Sequence, residues 1–141
     1  MKMLFDSNVI IDAVSSRPSS NESSRALFCL ASSCECEGYL VAKQITDIYY
    51  TLRKYLESEM KRNEFIAFLL EAFNIIPLGK EDLQKAFALN MNDYEDAVLA
   101  ASALRSGIDL IVSNNKKDFA ASPVPTLLPQ EALEKIQTKP L

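Results

Sequence analysis

The chain has 141 residues, of which 48% are hydrophobic and 24% charged, with a formal net charge of −4 and no histidine. That length suits one domain with a sizeable core. The missing histidine excludes Ser-His-Asp and Cys-His catalysis and every histidine-bearing zinc site, and the acidic balance means that nucleic-acid contact needs a local basic patch or a metal bridge.

"KMLF" reads as a first strand with Asp6 at its C-terminal end, and "SNVIIDAV" carries helical spacing at Val9, Ile10, Ala13 and Val14. "SSRPSSNESS" is polar and holds a proline, so it is a loop. A helix is expected from about Ser23 to Cys36, closed by Gly38, and then a short strand, "YLVA". Ile45, Ile48, Tyr49, Leu52 and Leu56 form an amphipathic stripe on the next helix, and another helix spans roughly Lys61 to Phe73. "NIIPL" is a strand, "KEDLQKAFALN" a helix, and "NDYEDAVLAASA" opens one more, with Gly107 where a C-terminal cap belongs. "IDLIVS" is the clearest strand, "TLLP" a short last one, and "PQEALEKIQ" a closing helix with proline first.

Strands alternate with helices and no Asn-Gly hairpin signal appears, so an α/β fold with a central parallel sheet covered by helices is expected, as a single domain over residues 1–141. Apolar runs such as "FIAFLLEAF" are short and broken by charge, so no membrane span is expected. The start "MKMLFDSNVIID" lacks a small-residue cleavage site. Cys29, Cys34 and Cys36, an odd number without a secretory leader, read as reduced thiols of a cytoplasmic protein.

Parallel sheets place their sites at the C-terminal strand ends. Asp6, Asp47, Asp93, Asp96, Ser113, Asn114, Asn115 and Asp118 all fall at a strand C-terminus or beside a helix N-terminus, which is one edge of this architecture. Each acid also has a plain structural explanation, because first-turn acids are stabilised by the helix dipole by ~0.3–1 kcal/mol. Asn92 and Glu95 have capping-box spacing, so Glu95 is expected to be structural. At about 100° per residue, Asp93 and Asp96 share a stripe with Ala97, Ala100 and Leu104, and the opposite stripe is apolar too. Both acids are therefore expected to point inward, where a charge costs several kcal/mol unless it is paired or metal-bound. Asp47 lies opposite the apolar stripe of its helix, and by spacing alone it is a solvated residue. Oxygen-only donors select a hard cation such as Mg²⁺ or Mn²⁺. Such an ion can orient a water and neutralise a phosphate, so the suggested class is metal-assisted phosphodiester hydrolysis.

In this order, "MLFDSNVIID", "ITDIYYTLRK" and "DYEDAVLAASALRSGIDLIVSNNKKDF" resemble the PIN-domain family, in particular its VapC-like ribonuclease toxins, from about Met3 to Phe119. The resemblance implies a three-layer α/β/α fold and a metal-dependent endoribonuclease that prefers single strands. It also implies the toxin role in a toxin–antitoxin pair, with an antitoxin protein as partner and a homodimer as assembly. Carried over, Asp6, Asp47, Asp96 and Asp118 match the family's four acids, and Asp93 matches an extra acid of one branch. Asp6, Asp93, Asp96 and Asp118 are the expected ligands of Mg²⁺ or Mn²⁺. Ser113 matches a supporting hydroxyl position, and Asn8 and Asn115 match polar positions around the site. The chain departs from the family at Asp47, where glutamate is commoner, and at Asn114, where a basic residue is common.

Lys43, Arg53, Lys54, Lys116 and Lys117 are candidate RNA contacts, with Lys116 and Lys117 best placed beside Asp118. The rival reading is a PIN-fold RNA-binding or interaction module that cleaves weakly or not at all. A phosphoryl-accepting receiver domain is disfavoured because "NIIPLGK" offers no acceptor aspartate.

Overall fold

The computed structural model describes residues 1–15, 22–33 and 35–138. Most of the serine-rich loop expected after Val14, and Cys34, lie outside these described residues.

Five strands form one sheet: β1 (Lys2–Phe5), β2 (Glu37–Val41), β3 (Asn74–Ile76), β4 (Leu110–Val112) and β5 (Thr126–Leu127). Their spatial order is β3-β2-β1-β4-β5, and every pairing is parallel. The helices are α1 (Ser7–Val14), α2 (Glu22–Ser32), α3 (Ala42–Leu52), α4 (Glu59–Ala72), α5 (Lys80–Ala88), α6 (Tyr94–Arg105) and α7 (Pro129–Gln137). A single 3₁₀ turn covers Lys116–Phe119.

The period-two geometry of the strands divides the core. Met3, Phe5, Leu40, Leu110 and Val112 face one side and pack with Val9 and Ile10 of α1, Leu27 of α2, Ile48 and Leu52 of α3, Leu69 of α4 and Ala132 of α7. Leu4, Val41, Ile76 and Ile111 face the other side and pack with Leu99, Ala100 and Ala103 of α6. Helix α5 lies against α6 through Ala86, Ala97 and Val98. Both faces of the sheet are covered, giving the expected three-layer α/β/α arrangement. The central strands β1 and β4, covered on both sides, are near-continuous apolar runs rather than alternating ones.

Two glycines set local geometry. Gly38 in β2 lies under Phe73, and a Cβ there would come within 2.7 Å of its ring and 2.9 Å of the Ala31 methyl. Gly107 turns the chain out of α6 with φ +68°, a left-handed conformation that glycine adopts without strain. The expected boundaries need small corrections. Helix α2 ends at Ser32 rather than Cys36, and α3 ends at Leu52, so Leu56 packs on the core from beyond the helix.

After β1 the chain steps outward to β2 and β3, then returns to place β4 on the other side of β1. The crevice beyond the C-terminal ends of β1 and β4 is thus the topological switch point, where open α/β sheets bind ligands.

Candidate active site

Asp6 and Ser113 are the first residues beyond β1 and β4. The register pairs Phe5 with Val112, and the Asp6 amide continues the ladder by donating to the Val112 carbonyl at 2.8 Å. The two side chains are therefore neighbours, and the Ser113 hydroxyl donates to Asp6 Oδ2 at 2.7 Å. Asn8 Nδ2 donates to the same oxygen at 3.2 Å. Asn8 in turn accepts from the Asn114 amide, and the Asn115 amide donates to Ser113 Oγ. Asp6 is only 8% exposed, and burial pushes its carboxyl above the ordinary value against the pull of these hydrogen bonds.

The first turn of α6 brings Asp96 to the same edge. Its carboxyl is pushed up to about 7, first by burial and then by the charges of Asp6, Asp93, Asp118 and Glu95. No lysine or arginine among the described residues makes an ion pair with Asp6, Asp96 or Asp118. Asp6, Asp96, Asp47 and Glu95 line a cavity of about 170 Å³ together with Lys43 and Gln44. Among the described residues, no group of three or more acidic or cysteine side chains is arranged ready to hold a metal ion. Repulsion between uncompensated carboxylates opposes their closer approach.

The site thus brings Asp96 of α6 to the strand edge that carries Asp6 and Ser113, and neither acid makes an ion pair with a described residue. A PIN-domain family model matches residues 2–117. The chain belongs to the PIN domain family. It is 28% identical to ribonuclease VapC1 of Aquifex aeolicus over 97% of this chain and 96% of that protein. Its fold is shared with a toxin–antitoxin complex from Klebsiella pneumoniae, at 22% identity, TM-score 0.67 and coverage of 90% of this chain and 97% of that one. It is also shared with VapBC2 of Rickettsia felis bound to a promoter DNA fragment, at 17% identity, TM-score 0.68 and coverage of 91% and 98%.

Within this PIN domain several side chains sit otherwise than expected. Asp93 is exposed and serves as the N-cap of α6, its Oδ1 accepting from the Asp96 amide at 3.0 Å. Asn92 is therefore not the cap, and Glu95 is not the partner in a capping box but lies on the cavity wall. Asp47 is half exposed and bound to Lys43, whose Nζ lies 3.2 Å from Asp47 Oδ2 and 3.9 Å from Glu95 Oε1. Lys43 is accordingly turned to the acids. Lys116 is engaged as well, its ammonium lying 3.0 and 3.1 Å from the two oxygens of Glu131 at the start of α7. Lys117 makes no ion pair with a described residue. Lys117 and Asp118 line a larger surface cavity of about 660 Å³ with Asn114, Asn115, Ala120 and Leu128. Asp118 reaches the site electrostatically, through its effect on Asp96.

The sequence points to Lys43 only as an RNA contact and to Glu95 only as a structural acid, and it gives Gln44 no role, yet all three line the cavity. Gln44 is fully buried. Its Oε1 accepts from the Val41 amide at 2.7 Å, and its Nε2 donates to the Phe5 carbonyl at 2.9 Å and to Ser7 Oγ at 3.2 Å. It ties the start of α3 to the end of β1. The signal for it was an amide at the third helical position after an apolar strand. For Lys43 the signal was its i,i+4 spacing to Asp47.

Proposed function

We propose that this chain is a ribonuclease of the VapC toxin type that hydrolyses RNA phosphodiester bonds with Mg²⁺ or Mn²⁺ and leaves a 5′-phosphate. The observation that carries the proposal is that Asp6 and Asp96 share a cavity at the switch point and neither makes an ion pair with a described residue, the one lysine there being engaged by Asp47 and Glu95. A buried acid beside a half-buried one, neither ion-paired, calls for a positive ligand. The available donors are carboxylates and a hydroxyl, all oxygen, which suits a hard divalent ion rather than zinc. Asp6, Asp96 and Asp118 would hold it. Asp47 and Asp93 stand farther from this role, one engaged by Lys43 and the other by its own helix.

Held by these residues, a divalent ion would supply neutralisation of phosphoryl charge and a more acidic water. The protein's part is to fix that geometry. Ser113 and Asn8 orient the Asp6 carboxylate through two hydrogen bonds to one oxygen. Gln44 holds the strand end that carries Asp6. Lys117, on the wall beside Asp118, is suited to binding a backbone phosphate of the substrate.

The toxin role follows from the relatives. A cognate antitoxin protein is the expected partner, a homodimer the expected assembly and the cytoplasm the expected compartment. No helix among the described residues is long and apolar enough to cross a membrane. The direct test is cleavage of a panel of structured RNAs by purified protein with Mg²⁺ or Mn²⁺. Cleavage should stop on chelation and in Asp6→Asn and Asp96→Asn. Undiminished cleavage in both variants refutes the assignment.

The second reading, a PIN-fold module that binds without cutting, draws on the acids not being arranged as a ready metal cluster and on the capture of Asp47 by Lys43. Thermal melting separates the two, because stabilisation by Mn²⁺ requires specific binding to the folded state. A melting temperature unmoved by Mn²⁺ favours the module.

A further inference from the structure

We infer that Lys43 is a built-in cation of the acidic cleft, holding Asp47 and Glu95 out of the ligand set so that the cleft takes one divalent ion rather than two. This rests on the metal-dependent reading above. The cleft presents four carboxylates, Asp6, Asp47, Glu95 and Asp96, and one ammonium. A lysine four residues before an aspartate is an ordinary helical pair. Helical spacing does not account for the same Nζ lying 3.9 Å from Glu95, which belongs to α6 on the other side of the sheet. The ammonium bridges two layers of the fold across the cavity that holds Asp6 and Asp96.

The base of Lys43 is fixed too. Its neighbour Gln44 bonds to Val41 and Phe5, so the first turn of α3 cannot drift from the end of β1. Two-ion sites place their ions about 3.5–4 Å apart and need carboxylates free to share between them. Here two of the four cavity carboxylates already face a positive charge, and that charge repels a second divalent ion at the Asp47 side. Asp6 and Asp96 are left for the first ion. Lys43 is a positioning residue in this account, acting through the acids it holds.

The test is Mn²⁺ binding to metal-stripped full-length protein by isothermal titration calorimetry, with circular dichroism confirming that each variant is folded. The wild-type chain is expected to bind one Mn²⁺ and Lys43→Met to bind a second. Adding Asp47→Asn to Lys43→Met should remove that second ion, and Lys43→Arg, which keeps the charge, should bind one. A wild-type chain that binds two ions, or a Lys43→Met variant with unchanged stoichiometry, overturns the inference while leaving the nuclease reading intact. A wild-type chain that binds none overturns both.

Discussion

Helix α6 carries a buried or half-buried acid problem at each end, and the two ends solve it differently. Near its C-terminus, Arg105 reaches Asp82 of α5, which is 3% exposed, through two bonds of 2.7 and 2.9 Å. The Gly79 amide also donates to Asp82, and Arg105 extends to the Pro77 carbonyl. The guanidinium holds the Asp82 carboxyl below its ordinary value. Near its N-terminus, Asp96 faces Asp6, Asp93, Asp118 and Glu95, and its carboxyl is pushed up to about 7. One helix therefore shows that this sequence can supply a cation where an acid is structural. At Asp6 and Asp96 no such ion pair is made among the described residues, which is the contrast on which the proposed ligand site rests.

The largest test of that contrast is removal of charge at the unbalanced end. Asp6→Asn and Asp96→Asn should each lower metal-dependent cleavage by about 100-fold or more. Asp96→Asn should at the same time melt a few degrees higher than wild type at pH 8 without divalent ions. The sign follows from linkage. With the folded value raised from 3.8 to about 7, the protonated acid favours the fold, and that contribution is lost as pH rises through about 7. The gain should therefore vanish near pH 4.

At the balanced end the expected effect is on stability alone. Arg105→Met leaves Asp82 buried without its cation and should cost ~2–3 kcal/mol by urea unfolding, less than a fully buried pair because Arg105 is partly exposed. The folded Asp82 value is lowered, so this contribution is present above the ordinary carboxyl value and fades as pH falls through the lowered one. Metal affinity should not change. An equal loss of Mn²⁺ binding in Arg105→Met would erase the distinction between the two ends.

Two smaller effects sharpen it. Ser113→Ala removes the 2.7 Å bond that orients Asp6 and should weaken Mn²⁺ binding by about tenfold, read by calorimetry. Asp93→Ala should cost ~1 kcal/mol of stability as a lost N-cap, seen in the same urea unfolding, and leave most of the cleavage. If Asp93→Ala abolishes cleavage as Asp96→Asn does, Asp93 is a ligand and not only a cap.

Most of the architecture was legible because its central strands are buried on both faces. "KMLF" and "IDLIVS" read as short apolar runs, and the alanines of α6 mark a helix packed against neighbours. The position of Asp6 at the switch point follows directly from a strand ending in an acid. The misreading of Asp93 has a definite cause. Placed on a helical wheel it shares the stripe of Asp96, but as N-cap it has extended backbone angles, φ −109° and ψ 124°, and leaves the wheel. With Asp93 as the cap, the third helical position is Asp96, so Glu95 is not placed to close a capping box. The contacts of Lys43 with Glu95, Lys116 with Glu131 and Arg105 with Asp82 join residues far apart in sequence, and no local spacing announces them.

The central claim is that Asp6 and Asp96 are kept without a cationic partner because they hold a divalent ion. Anomalous diffraction from a crystal soaked in Mn²⁺ tests it most directly. The account expects one peak, bounded by the carboxylates of Asp6, Asp96 and Asp118 and absent in Asp6→Asn. A crystal of active protein with no peak there, or with manganese held only elsewhere on the surface, would contradict it.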